Sequence, residues 1–156
     1  MGESKSEKLA KIIKKLEQLT DEELTHAETF IDALFTTEKN VHYFGKFLEI
    51  DKYKSGYKMK LGKNTENTYG VAQGGAVFSL ADIAIGFHLK EILMEEANVF
   101  TLELKMNFIK GGKGSYLYAY PEILHLGNTT AVTECLISDD EGETVAKAIG
   151  TFYLKR

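Results

Sequence analysis

The sequence predicts an α+β fold, a curved antiparallel sheet wrapped around one long central helix, with an N-terminal helical extension. Three observations predict it. The run from Gly74 to Leu89 is apolar nearly all round, so the helix it forms must be covered on most sides. Strand-type segments flank that run, with short turns between the last four, and tight connections favour antiparallel pairing over βαβ units. The first 40 residues instead carry apolar side chains at three- and four-residue steps, the period of amphipathic helices. The expected division is residues 1–40, helical, and 41–156, the sheet with its helix.

Leu9, Ile12, Ile13, Leu16 and Leu19 recur between lysines and glutamates and mark the first helix. Thr20 followed by Glu23 has capping-box spacing, and Leu24, Ala27, Phe30, Ile31, Leu34 and Phe35 continue a second helical stripe. Beyond Asn40, Tyr43 to Lys54 and Tyr57 to Leu61 read as strands separated at Gly56. Asn64 to Tyr69 is a polar loop, and Gly75 to about Glu95 is the long helix. Strands follow over Val99 to Ile109, Ser115 to Leu124, Thr129 to Ser138 and Thr144 to Leu154. Their turns carry Lys110 to Gly114, Leu126 to Asn128 and Asp139 to Gly142.

Composition narrows the functional classes. A net charge of −4 over 156 residues gives no field that gathers nucleic acid or anionic lipid. The single cysteine, Cys135, excludes an intrachain disulfide framework and fits a reducing compartment. Four scattered histidines and that thiol show no metal-ligand spacing, so no metal is expected. The opening MGESKSEK lacks the apolar core of a signal peptide, and a cytoplasmic protein is expected; its match to the myristoylation pattern is one of form only. The apolar run from Val71 to Leu89 contains Gln73, Asp82 and His88, which suits a buried helix rather than a membrane span.

The chemistry is expected in that helix. Asp82 is its one acid between Gly74 and Leu89, and an ionised carboxylate among apolar neighbours is costly unless something satisfies it. Two readings stand: a base or nucleophile, or a structural aspartate bonded to backbone or to a neighbouring subunit. At the helix start, Gln73-Gly74-Gly75 stands where Ser, Thr, Asp or Asn ordinarily caps the first N–H groups. Those donors are left for a ligand carbonyl, as in an oxyanion hole. Alternatively the glycines serve close packing of helix on sheet. Asp82 follows Gly74 by eight positions, roughly 12 Å along a helix axis, whereas a base and an oxyanion donor must both reach one carbonyl. If both act, two antiparallel helices from two subunits must form two equivalent sites in a C2 dimer.

These residues resemble the hotdog-fold acyl-CoA thioesterases of the phenylacetate-degradation (PaaI-like) type. That family's run is Asn, five residues, His-Gly-Gly, then Leu-Ala-Asp; here it stands as Asn67-Thr-Tyr-Gly-Val-Ala-Gln73-Gly74-Gly75, then Leu80-Ala81-Asp82. The likeness extends through Thr101 to Phe108, Gly127 and Gly142 to Lys147, covering about Val41 to Leu154. It implies hydrolysis of an acyl-CoA thioester, with CoA as part of the substrate and no separate cofactor. It further implies that Gly74 donates to the thioester oxygen beside Gly75, and that Asp82 of the other subunit activates water or attacks directly. Asn67 positions substrate or water, and Thr101 orients the water or leaving group. The expected assembly is a homodimer at least, with a tetramer as a dimer of dimers.

Three positions depart from the pattern. Gln73 replaces the histidine and retains hydrogen bonding without proton exchange near neutrality. Lys110-Gly111 stands where many relatives have a basic residue and proline, and Asn128 where a lysine commonly follows Gly127. With Arg156 the one arginine, bidentate clamps on CoA phosphates are scarce, and phosphate contacts fall to Lys110, Lys113 or backbone. The alternative function is a non-hydrolytic acyl-CoA-binding or regulatory module; a hotdog dehydratase would lack its usual histidine here. Tyr116, Tyr118 and Tyr120 read as packing or interface residues, His88 and His125 as structural, and Cys135 as a small buried hydrophobe.

Overall fold

The computed structural model describes residues 2–35, 43–94 and 97–156. The expected boundary at 40/41 and Glu95, expected to end the long helix, lie outside them. The chain divides into two compact units, Met1–Thr37 and Glu38–Arg156. In the first, α1 (Lys5–Leu16) starts ahead of the apolar period because Ser4 and Glu7 form a capping box. Helix α2 (Asp21–Leu34) starts on the expected Thr20–Glu23 box, with Thr20 N donating to the Glu23 carboxylate at 2.9 Å.

The second unit runs α3 (Tyr43–Phe47), β1 (Ile50–Tyr53), β2 (Gly56–Lys60), α4 (Gly74–Ile92), β3 (Asn98–Phe108), β4 (Tyr116–Leu126), β5 (Thr130–Ser138) and β6 (Thr144–Lys155). The strand expected from Tyr43 is corrected at its start: five residues form α3 instead. Phe44, Phe47 and Leu48 fall at helical spacing, Leu48 N donates to Phe44 O at 3.0 Å, and Leu48 is buried. Only from Ile50 does the segment pair with β2.

The six strands form one antiparallel sheet in the order β1-β2-β4-β5-β6-β3. A simple succession of hairpins through the last four strands is thereby corrected. Strand β3 pairs with β6 at the far edge, and residues 109–115 carry the chain back to β4 across β6 and β5. Three strand spacings amount to roughly 14 Å, within the reach of seven residues at up to roughly 3.3 Å each.

Helix α4 lies against the concave face, as the hotdog arrangement requires. Ala76, Val77, Leu80, Ala81, Ile83, Ala84, Ile85 and Leu89 are buried along it and join one core with Leu117, Ile137 and Phe152 of the sheet. Leu80, Ile85 and Leu89 are wholly buried, each stabilising the fold by about 1.5–3 kcal/mol relative to exposure. Its far end is tied to the β1–β2 hairpin: Lys52 Nζ and Tyr57 OH donate to the Glu91 carboxylate at 2.6 and 2.9 Å. Gly75, Phe78, Ser79, Asp82 and Gly86 are not buried, and their three- and four-residue spacing makes them one stripe. Among the described residues, no helix is long and apolar enough to cross a membrane.

A β-bulge in β3 sets the direction of a candidate site residue. Thr101 pairs with the buried Phe152, but the register then shifts so that Glu103 pairs with Thr151 and Leu104 with Gly150. The extra residue, Leu102, lets Thr101 face α4 while Glu103 turns to the other face, where Thr151 Oγ1 donates to it at 3.0 Å. Bulges commonly re-aim side chains in this way. Glycine at 150 permits the close approach, since a Cβ there would lie 2.7 Å from the Leu104 side chain and 2.8 Å from Glu103 O.

Candidate active site

The loop before α4 is built on Thr65 and Asn67. Thr65 is wholly buried; its hydroxyl donates to Lys60 O at 2.9 Å and accepts from Gly62 N at 3.0 Å. Asn67 Oδ1 accepts from Tyr69 N at 2.9 Å and Val71 N at 3.4 Å, while Gly70, at φ +69°, donates to Asn67 O. The Asn67 side chain thus shapes the turn leading to the helix. Gln73 N then donates to Thr65 O at 2.8 Å, which delivers residue 73 to the N-cap.

Gln73 is exposed and makes no side-chain cap bond. Ala76 and Val77 N–H both donate to Gln73 O, whereas the N–H groups of Gly74 and Gly75 have no acceptor among the described residues. Close packing does not account for these glycines within one chain. A Cβ at Gly75 would meet nothing within 4 Å, and one at Gly74 would make ordinary contact with the Phe108 ring at 3.5 Å. Two unengaged amides at a helix N-terminus, where the dipole favours negative charge, suit an oxygen on which charge develops.

Two turns along the same stripe, Asp82 is half-buried and Thr101 Oγ1 donates to its Oδ1 at 2.7 Å. Ser79, between the glycines and the acid, spends its hydroxyl on Gly75 O at 2.8 Å. The fold therefore joins Thr101 to Asp82 and gathers Gln73, Gly74 and Gly75, with Asn67 in the adjoining loop. It does not bring Gly74 and Asp82 of one chain to a single atom.

Lys110 and Lys113 lie elsewhere, in a cleft of about 670 Å³ that they line with Val71, Asp139, Asp140 and Glu141. Lys110 is engaged: its Nζ meets Asp139 Oδ2 at 2.9 Å and Glu143 Oε2 at 3.7 Å. That hydrogen bond raises the Lys110 pKa and lowers that of Asp139. Asp140 accepts from Ser115 N at 2.6 Å, Tyr116 N at 3.3 Å and Tyr118 OH at 3.1 Å. Lys113 is exposed and pairs with no carboxylate among the described residues. No group of three or more His, Cys, Asp or Glu among those residues is placed to hold a metal. Sequence reasoning missed Thr65, which nothing in its polar loop marks, and Phe108, which reads as an ordinary strand residue. It took Asp139 and Asp140 as turn residues only.

The thioesterase superfamily model matches residues 69–146, a stretch that contains the helix start, Asp82, Thr101 and both cleft lysines. A protein named as an esterase from Saccharolobus solfataricus is 30% identical over 129 residues, covering 81% of this chain and 84% of its own. A 1,4-dihydroxy-2-naphthoyl-CoA hydrolase from Listeria monocytogenes is 22% identical over 71% of this chain and 90% of its own. Among solved structures, that of the BH2602 protein from Bacillus halodurans with CoA matches with a TM-score of 0.83 and 26% identity, covering 94% of this chain and 99% of that one.

Proposed function

We propose that this chain, which belongs to the thioesterase superfamily, hydrolyses an acyl-CoA thioester to a free acid and CoA in the manner of the PaaI-like type. One observation carries the reading: α4 presents two unengaged amides, at Gly74 and Gly75, and a Thr101-held carboxylate, Asp82, on a single uncovered stripe. The thioester oxygen accepts from Gly74 N–H, and the positive end of the helix stabilises the tetrahedral oxyanion. Asp82 takes a proton from water as its oxygen attacks the carbonyl carbon. Collapse of the adduct breaks the C–S bond, and the proton held on Asp82 returns to the departing thiolate. Thr101 orients the carboxylate, Asn67 holds the loop, and the Gln73 amide hydrogen-bonds substrate without exchanging protons.

The separation of roughly 12 Å along one helix supports taking the carboxylate from a second copy, in a C2 homodimer with two composite sites. The outer edge of β3, unpaired among the described residues and flanked by exposed Phe100 and Leu102, suits that pairing. CoA as ligand is supported by the CoA-bound relative, and Lys113 is the phosphate contact we favour. The test is a screen of short, medium, long and aryl acyl-CoAs read by free thiol. Turnover above the uncatalysed rate supports hydrolysis; saturable CoA binding without thiol release would assign the chain to a non-hydrolytic acyl-CoA-binding module instead.

A further inference from the structure

We infer that Lys110 is a positioning residue, which latches the segment after β3 to the β5–β6 turn and thereby fixes the Gly74–Gly75 end of α4, rather than a phosphate ligand. The inference rests on the reading of those glycines as carbonyl donors.

The connection runs through named contacts on both sides of Lys110. Two residues before it, the Phe108 ring stands beside Gly74, at 3.5 Å from where a Cβ would project. Two residues after it, Gly112 O accepts from Ala72 N at 2.9 Å, and Ala72 adjoins the N-cap Gln73. Glycine at 111 and 112 lets this segment lie flat on the loop: added Cβ atoms would fall 3.2 Å from Val71 Cγ1 and 3.2 Å from Ala72 Cβ. Residues 108–112 thus touch the helix start from two directions, and Lys110 is the anchor between them. Its backbone N–H and that of Ile109 share Val145 O, at 3.2 and 2.8 Å.

The anchor's other end is itself rigid. Asp139 is buried, and its Oδ1 accepts from Glu141 N at 3.2 Å and Glu143 N at 2.9 Å, which leaves Oδ2 for Lys110. Turning the ammonium toward a phosphate would strand that buried carboxylate without its cation. The phosphate would also approach Asp140, Glu141 and Glu143 as well as the lysine. Lys113, exposed and unpaired among the described residues, can turn to a phosphate without leaving a buried carboxylate behind.

Steady-state kinetics on Lys110→Met, Lys110→Arg, Asp139→Asn and the double variant that combines Lys110→Met with Asp139→Asn separate the two roles, with hydrogen exchange of residues 69–77 measured in parallel. A latch predicts that Lys110→Met and Asp139→Asn each lower kcat by about ten- to a hundredfold through misplacement of the donors, with KM within about twofold. The double variant should be no worse than the poorer single, since both remove one contact, and Lys110→Arg should recover most activity. Amides of 69–77 should exchange faster in Lys110→Met and in Asp139→Asn. A rise in KM at constant kcat with a weaker salt dependence in Lys110→Met would make it a phosphate ligand and overturn the inference, as would unchanged exchange. Because exchange needs no substrate, a wild-type chain that hydrolyses nothing would sink the proposed activity while leaving the latch to be judged by exchange.

Discussion

Thr101 Oγ1 donates to Asp82 Oδ1 at 2.7 Å, and the bulge at Leu102 is what turns the threonine toward the helix. The bond fixes one oxygen of a carboxylate that otherwise rotates about its side chain, so in the proposed hydrolysis the lone pair that receives the water proton would have a set direction. A hydrogen bond to a charged group is worth about 1.5–3 kcal/mol. Thr101→Val keeps the shape and removes the donor; kcat should fall by about 10- to 100-fold on that magnitude, with Thr101→Ser restoring most of it. Equal kcat in the valine and serine variants, both folded by circular dichroism, would remove Thr101 from the mechanism.

Two groups at the far end of α4 should each contribute to the acid end of the stability profile. Burial lowers the His88 pKa below its ordinary 6.5, although neighbouring Glu91 opposes the shift. The unfolded chain therefore takes up a proton near 6.5 and the folded chain only at lower pH. Stability is complete above that window and declines as pH falls through it. Glu91 behaves as a depressed carboxylate: burial alone would raise its pKa, but the bonds from Lys52 and Tyr57 prevail and bring it below 4.5. Its contribution is present above 4.5 and is lost as pH falls through the lower folded value. Denaturant melts across roughly pH 3–8 should show His88→Gln flattening chiefly the upper step and Lys52→Met reducing chiefly the lower, with a smaller effect of each on the other step because Lys52 also acts on His88 and His88 on Glu91. One smooth decline unaffected by either variant would contradict the assignment.

Much of this architecture was legible because it follows from local periodicity. The run around Leu80, Ile85 and Leu89 announces a helix to be covered, and alternation along β4 to β6 announces strands. What failed was non-local or finely balanced. Tyr43 to Phe47 is aromatic enough for a strand, yet the three- and four-residue spacing of Phe44, Phe47 and Leu48 seats α3 on the core. Placing β3 beside β6 rather than β4 depends on how the 109–115 segment crosses the sheet, and no residue in that segment encodes a partner. At the site, the lone acid and the paired glycines stand out on chemical grounds. Thr101 entered through family resemblance alone, because a bond between residues nineteen apart leaves no periodic trace. The lysines marked themselves by charge, but the engagement of Lys110 with Asp139 exists only once two turns meet.

Cys135 bears on how activity is measured. Its thiol is buried in β5, and burial, slightly relieved by a backbone hydrogen bond, pushes its pKa up to about 12. Since the thiolate is the reactive form, native protein should not react with a disulfide reagent at about pH 8, and one thiol per chain should appear on denaturation. Rapid native reaction would mean that the strand opens readily, and the thiol-release screen would then need a Cys135→Ala background.

The proposed cross-subunit site makes the most demanding prediction. Asp82→Ala should remove most hydrolysis, because no other acid lies on the uncovered stripe, while leaving assembly and much of the ligand affinity intact. Gly74→Val should separately block approach of the carbonyl to the helix amides. Since a Cβ at 74 meets only the Phe108 ring, at ordinary contact distance, Gly74→Ala serves as a milder variant should valine disturb folding. Each variant alone should be nearly inactive. In a mixed dimer, the valine subunit still supplies Asp82 to the intact Gly74 of its partner, so one composite site is whole and the other carries both defects. Random reassortment makes about half of the dimers mixed, each with one working site of two, so roughly a quarter of wild-type activity should return on mixing. Size-exclusion and light-scattering measurements would establish that the subunits exchange. Folded, exchanging variants that recover nothing would refute a site shared between subunits, and full activity of Asp82→Ala alone would remove Asp82 from the chemistry.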